Sequence, residues 1–151
     1  MRLSKRGEYG LKALIELAAN DAEDVIRIRE LAEREQIPLK FLEQILLALK
    51  NAGLLQSRRG VNGGYYLARP ADEITLGQVV RTLDGPVAPI RCVSQMAYER
   101  CVCPDENTCG LRLAMLDVRN AIADVLDHTT LADAARRANK RARKMRSRAA
   151  R

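Results

Sequence analysis

Four cysteines, Cys92, Cys101, Cys103 and Cys109, fall within 18 residues of one another, and thiols crowded this closely point to a shared task. Four thiolates can saturate a zinc ion or hold an iron-sulfur cluster. Without a metal, two of them can oxidise to a disulfide and act as a switch. The spacing reads C-x8-C-x-C-x5-C; it lacks the paired C-x-x-C knuckles of structural zinc sites and suits a cluster better. Arg91 and Arg100 adjoin Cys92 and Cys101, where a neighbouring cation favours the thiolate and so serves either chemistry. The single His128 stands well beyond the group and reads as a surface residue, not a ligand.

A second set of side chains has the chemistry to read DNA. In the segment 38–51 the apolar residues Phe41, Leu42, Ile45, Leu46 and Leu49 form one helical face, which leaves Lys40, Glu43, Gln44 and Lys50 pointing outward. Gln pairs with adenine and Glu accepts from the cytosine amino group in a major groove, while Lys40 and Lys50 suit phosphates. Arg58 and Arg59 precede a Gly-rich turn, and an arginine at the tip of a narrow hairpin can enter a minor groove.

The elements that must position these residues follow from periodicity. Leu11, Leu14, Ile15 and Ala18 recur at helical spacing, with Ser4 placed to cap a first helix and Asn20-Asp21 to end it. A short amphipathic stretch, Ile28 to Glu35, precedes a third helix opened by Pro38, which the first helical turn tolerates, and stopped by Gly53. Two short helices joined by a tight turn, with the small Ala32 at their crossing, make a helix-turn-helix. Leu54 to Ser57 and Tyr65 to Ala68 then read as two strands of a wing, around a loop whose Asn62-Gly63 pair is expected to supply the positive φ of the turn. A fourth helix spans Ile74 to Leu83. Beyond the cysteines, Leu111, Met115, Val118, Ile122 and Val125 step by four and three residues, a narrow apolar seam that calls for a partner helix. A last helix begins at Leu131. The expected fold is mainly α with a small β-hairpin wing, a winged helix-turn-helix plus a long dimerisation helix. Residues 1–70 are the DNA-binding domain, 71–133 the cysteine loop and dimerisation helix, and 134–151 a basic tail.

Charge follows the same division. Lys and Arg set against Asp and Glu give +3 over 1–70, −5 over 71–133 and +9 over 134–151. The nine cations from Arg136 to Arg151 have no acid among them, and such a tail is expected to be disordered, or to lay counter-charge along phosphates without reading sequence. No apolar run is long enough to span a bilayer and none resembles a secretory leader, so a cytoplasmic protein is expected. Paired carboxylates, a nucleophile with its base and a phosphate-cradling loop are all missing, which argues against an enzyme.

The opening Met1-Arg2-Leu3-Ser4 to Tyr9, the segment Ile37-Pro38 to Leu46, Ala52-Gly53-Leu54, Ser57 to Gly60 and Gly63-Gly64-Tyr65 resemble the Rrf-two family of winged helix-turn-helix transcription regulators, in its IscR- and NsrR-like branch. Ile74-Thr75-Leu76, Asp84-Gly85-Pro86, the cysteine loop and Thr129-Thr130-Leu131 agree with it, so that the resemblance covers about residues 1–133. It implies a homodimer on a near-palindromic double-stranded DNA operator, paired through the helix after the cysteines, with specificity carried by Glu43, Gln44 and Arg59. It also implies a two-iron or four-iron cluster on three cysteines, of which Cys92 and Cys109 match the outer two while Cys101 and Cys103 both qualify for the middle. Some relatives add an acidic ligand from the first helix of the other subunit, a position matched by Glu8. The expected function is regulation, as by a repressor, in response to redox state, nitric oxide or iron-sulfur supply. The alternative is a cluster-free repressor of the same family, controlled by thiol oxidation or a partner protein.

Overall fold

The computed structural model describes residues 2–20 and 24–150. Met1 of the resembling opening, Asp21 of the expected end of the first helix and Arg151 of the basic block lie outside the described residues. Among the described residues the chain runs α1 (Lys5–Ala19), α2 (Ile28–Glu35), α3 (Leu39–Asn51), β1 (Leu55–Arg58), β2 (Gly64–Leu67), α4 (Leu76–Asp84), a 3-10 turn (Arg91–Val93), α5 (Gly110–Asp127) and α6 (Leu131–Ala149). None of these helices is long and apolar enough to cross a membrane.

Helix starts are set by side chains that satisfy the orphan N–H groups of a first turn. The Ser4 hydroxyl accepts from Gly7 N at 3.0 Å. Thr75 with Gln78 and Thr130 with Asp133 form complete capping boxes at α4 and α6. The bonds from Thr130 and then Arg136 hold the Asp133 carboxyl at a pKa of about 2. The two capped starts are zipped together, since Leu76 N donates to Thr129 O and Leu131 N to Ile74 O, both at 2.9 Å.

In the helix-turn-helix, α2 ends at Gln36, which takes the left-handed conformation at φ +54°. Ile37 N then bonds back to Ala32 O at 2.9 Å and the Ile37 side chain is buried, so the turn is pinned from both the backbone and the core. Leu42, Ile45, Leu46 and Leu49 of α3 are fully buried and Phe41 partly so, which is the face expected from their spacing. They join Leu14 of α1, Leu31 of α2, Leu55 of β1, Ile74, Val79 of α4 and Leu131 of α6 in one core. That core crosses residue 70: α4 and the first turn of α6 are part of the scaffold that holds α3.

The hairpin is antiparallel, with Leu55 opposite Leu67 and Arg58 opposite Gly64. Its turn differs from expectation. The positive φ falls at Gly60, at +108°, and not at the Asn62-Gly63 pair, because the strands close one residue earlier on β2 and Gly63 N folds back to Gly60 O at 3.0 Å. On its other edge β2 is met by Ile26, which exchanges two backbone hydrogen bonds with Tyr65 at 3.0 and 2.9 Å. A Cβ at Gly64 would stand 2.5 Å from Ile26 O and 2.7 Å from its carbonyl carbon, backbone atoms that cannot swing aside. Gly64→Ala is therefore expected to destabilise the fold by about 1–3 kcal/mol, read as a lower urea midpoint at unchanged slope; an unshifted midpoint would show that this edge is not packed as described.

Two further departures concern the second half. The tail expected to be disordered is helical through Ala149: it is built largely of Ala, Arg and Lys, among the strongest helix formers, and no Gly or Pro follows Gly110. The other is α5, an 18-residue helix with no buried residue. Leu111, Val118 and Val125 are 63%, 41% and 62% exposed and, with Ala114 and Ala121 between them, form an open stripe; Met115 and Ile122 are half-buried on its flank.

Candidate functional site

Two groups of side chains stand out, one on each side of the α4–α5 contact. On α3, Lys40, Glu43, Gln44 and Lys50 are all exposed, as expected for residues on the face opposite four fully buried ones. Lys50 is tied down, its Nζ donating to Ser57 Oγ on β1 at 2.7 Å, so it braces the wing against the helix end. Arg58 and Arg59 are exposed at the wing tip, Arg58 lying 5.8 Å over the Tyr66 ring. The structure adds two cations that periodicity did not single out. Arg27, the residue before α2, donates to Val61 O at 2.5 Å and so holds the wing tip to the helix-turn-helix. With Arg29, Arg58 and Arg59 it lines an open groove between wing and α2. An exposed helix flanked by a hairpin and four arginines has the shape and sign of charge to sit on a duplex, helix in the major groove and wing on the backbone beside it.

The cysteines occupy the irregular stretch between α4 and α5. Cys109 immediately precedes α5, at its N-cap position. Its sulfur lies 4.0 Å from that of Cys103, and a disulfide joins Cys103 to Cys101, leaving Cys92 and Cys109 free. Cys92 is buried on the 3-10 turn, and its carbonyl accepts from Arg112 Nε at 3.3 Å, one helical turn beyond Cys109. The loop is organised by Glu106, a residue with no sequence signal of its own. One of its oxygens accepts from Tyr98 Oη at 2.6 Å and the other from Cys101 N at 3.0 Å, and the Tyr98 bond, followed by the Cys101 bond, pulls its carboxyl below the ordinary range. His128 is exposed and bonded to Asp124. Glu8 on α1 pairs with Lys5 at 2.9 Å and Lys12 at 3.9 Å, and the hydrogen bond from Lys5 is the largest cause of its lowered pKa.

The donor set fits an iron-sulfur group in chemistry. A tetrahedral metal bound at about 2.3 Å sets its sulfurs about 3.8 Å apart, close to the 4.0 Å between Cys103 and Cys109. Among the described residues no three His, Cys, Asp or Glu side chains surround a common metal position. For Cys103 to serve as a ligand, a two-electron reductant such as a cellular thiol would first have to open its disulfide with Cys101, and Cys92 would have to join the other sulfurs. The helix α5 and the DNA-facing half meet through Arg81 of α4 and Asp127 at the far end of α5, a two-pronged pair at 2.5 and 2.9 Å in which the Arg81 bond lowers the Asp127 pKa.

Residues 3–137 match the family model of Rrf2, described as an iron-dependent transcriptional regulator. The chain is 38% identical over 135 residues to an rrf2-like HTH-type regulator of Rhodobacter capsulatus, covering 87% of this chain and 90% of the relative. Its fold is similar to that of CymR, the global cysteine regulator of B. subtilis, with a TM-score of 0.76 and 35% identity over 89% of this chain and 96% of the other. It is also similar to the structure of T. potens IscR, with a TM-score of 0.73 and 31% identity over 91% and 88% of the two chains. These relatives are transcriptional regulators and not enzymes. Winged helix, exposed recognition face and match over most of its length agree: the chain belongs to the Rrf2 family and is a DNA-binding transcriptional regulator.

Proposed function

We propose that this protein is a cytoplasmic homodimer whose operator affinity is set by an iron-sulfur cluster held in the 86–110 loop, and that it acts as a sensor of redox state, nitric oxide or iron-sulfur supply. The observation that carries the reading is the convergence of Cys101, Cys103 and Cys109 at the start of α5, in a family described as iron-dependent. Cys92, Cys109 and one or both of Cys101 and Cys103 are the proposed ligands, with Glu8 of the other subunit as a further candidate. When bound, the cluster supplies a centre that oxidants and nitric oxide attack. The protein's part is mechanical. A loop held at both ends, by Arg112 on Cys92 and by Glu106 on Cys101, fixes where the 3-10 turn rests on α5. Through Arg81 and Asp127 the tilt of α5 reaches α4, which packs on α1 and α3, and so sets the separation of two recognition helices across the dimer. In this division of labour residues 1–70 contact double-stranded DNA through Lys40, Glu43, Gln44, Lys50, Arg58 and Arg59, and residues 71–133 sense and pair the subunits.

The Cys101–Cys103 disulfide favours a second reading, a cluster-free thiol switch in which that pair is the sensor. One experiment separates the two. Protein purified without oxygen is expected to be brown, to contain iron and sulfide, and to lose both colour and its DNA-binding response to nitric oxide in Cys92→Ala and Cys109→Ala. A colourless, iron-free preparation that responds normally to oxidant, and loses the response only in Cys101→Ser or Cys103→Ser, would establish the switch instead.

A further inference from the structure

The distal half of α6 is a surface that the family match, which ends at residue 137, does not cover. Leu131 and Ala135 anchor the helix in the core; from Arg136 onward every described residue is exposed. Between Ala134 and Ala150 there is no acid, and along this stretch the recorded carboxylate partner among the described residues is Asp133, on Arg136. Seven cations from Arg137 to Arg148 remain, many of them three or four residues apart, where like charges on a helix repel. Such a helix is relieved by a polyanion of matching charge density. At about 1.5 Å per residue the seven span about 16 Å, one charge per roughly 2.4 Å, against one per about 1.7 Å along duplex DNA.

We infer that α6 beyond Ala135 is a second, sequence-independent DNA contact, which lies along the phosphate backbone flanking the operator and extends the footprint of the winged helix. The composition selects duplex DNA over other polyanions. An amphipathic membrane helix needs bulky apolar residues on one face, and here that face offers Ala138, Ala142, Met145 and Ala149. Single-stranded RNA is held by stacking on aromatic rings, and α6 has none. Side chains as short as alanine between the cations let the helix approach the backbone closely. The inference rests on the DNA-binding reading, and what it adds is the partner of a segment that the winged helix leaves free.

The contact reads no bases, so any mixed-sequence duplex serves as probe. Binding of the full chain to duplexes of about 20 and about 40 base pairs is followed by fluorescence anisotropy between about 50 and 200 mM salt, alongside a variant carrying Arg137→Gln, Lys140→Gln, Arg141→Gln and Lys144→Gln. The wild type is expected to bind the longer duplex more tightly. The variant should lose that gain, bind at least about tenfold more weakly, and show a salt slope shallower by up to about 3.6, at roughly 0.9 for each of four lost phosphate contacts. Arg137→Lys with Arg141→Lys should keep the wild-type slope. Circular dichroism checks that α6 persists in each variant. A glutamine variant with unchanged affinity and slope overturns the inference while leaving the winged helix intact. So does a loss confined to single-stranded RNA or to phosphatidylserine vesicles. A wild type that binds neither mixed-sequence duplex overturns this inference, while the DNA-binding reading itself fails only if no member of a randomised duplex pool is bound.

Discussion

Val118→Glu is expected to turn a dimer into a monomer and to weaken operator binding by at least about a hundredfold, because a monomer engages one half-site where a dimer engages two. Val118 lies at the middle of the open stripe on α5, 41% exposed, with Leu111 and Val125 one heptad away on either side at 63% and 62%. Three large apolar side chains at a seven-residue repeat on a helix with no fully buried residue make the surface through which the proposed homodimer would pair. A carboxylate at that centre would be buried against its own image, and two like charges taken from water without partners oppose association far more than one lost methyl pair does. The substitution should leave the monomer's fold alone, since Val118 is 41% exposed and is not part of the core. Sedimentation and operator titration check the two halves separately. A variant that remains dimeric would place the subunit contact elsewhere; one that is monomeric yet binds a full operator as tightly as the wild type would separate pairing from recognition.

How far the sequence foretold this arrangement depends on whether each signal was local. The buried face of α3, the Ser4 cap, the start of α6 and the α5 stripe were all legible, because each is a matter of spacing along one helix. What escaped depends on contacts between distant segments. Gln36 takes the left-handed position usually given to Gly, held there by Ile37 in the core and by its own side chain on Glu33 O at 2.9 Å. The wing turn falls at Gly60 and not at Asn62-Gly63 since the pairing register, which no dipeptide announces, decides where φ must become positive. Arg27 is unremarkable beside Ile28, and only the fold brings Val61 O to it. Glu106 was lost among the acids of the loop, although it joins Tyr98 to Cys101. The tail was misjudged for another reason: its charge was weighed and its helix propensity was not. The four thiols were found at once, but which sulfurs pair is set by loop folding, and the C-x-C spacing of Cys101 and Cys103 said nothing of their contact with each other.

Gln44→Ala and Arg59→Ala are expected to change which sequences are bound, whereas Lys40→Gln should change only how tightly. Gln44 and Glu43 project from the exposed side of α3, directly behind the buried Ile45 and Leu46, so their reach is fixed by a helix that cannot roll without exposing its core face. A well-placed bidentate amide contact to adenine discriminates by about 1–3 kcal/mol, and its loss should flatten the preference at one base pair in each half-site by roughly five- to a hundredfold. Arg59 stands on the wing beside Gly60, whose φ of +108° turns the chain there; its removal should erase any preference for A·T pairs at the edges of the site, where a narrow minor groove concentrates negative potential. Lys40, exposed on the first turn of α3, meets phosphate in this reading, so Lys40→Gln should weaken all sequences alike and lower the salt slope by about 0.9. Selection from a randomised duplex pool with each variant distinguishes the three patterns. If Gln44→Ala and Arg59→Ala return the wild-type sequence preference with a uniformly lower affinity, base recognition does not rest on Gln44 and Arg59, and Glu43 and the groove between the wing and α2 become the place to look for it.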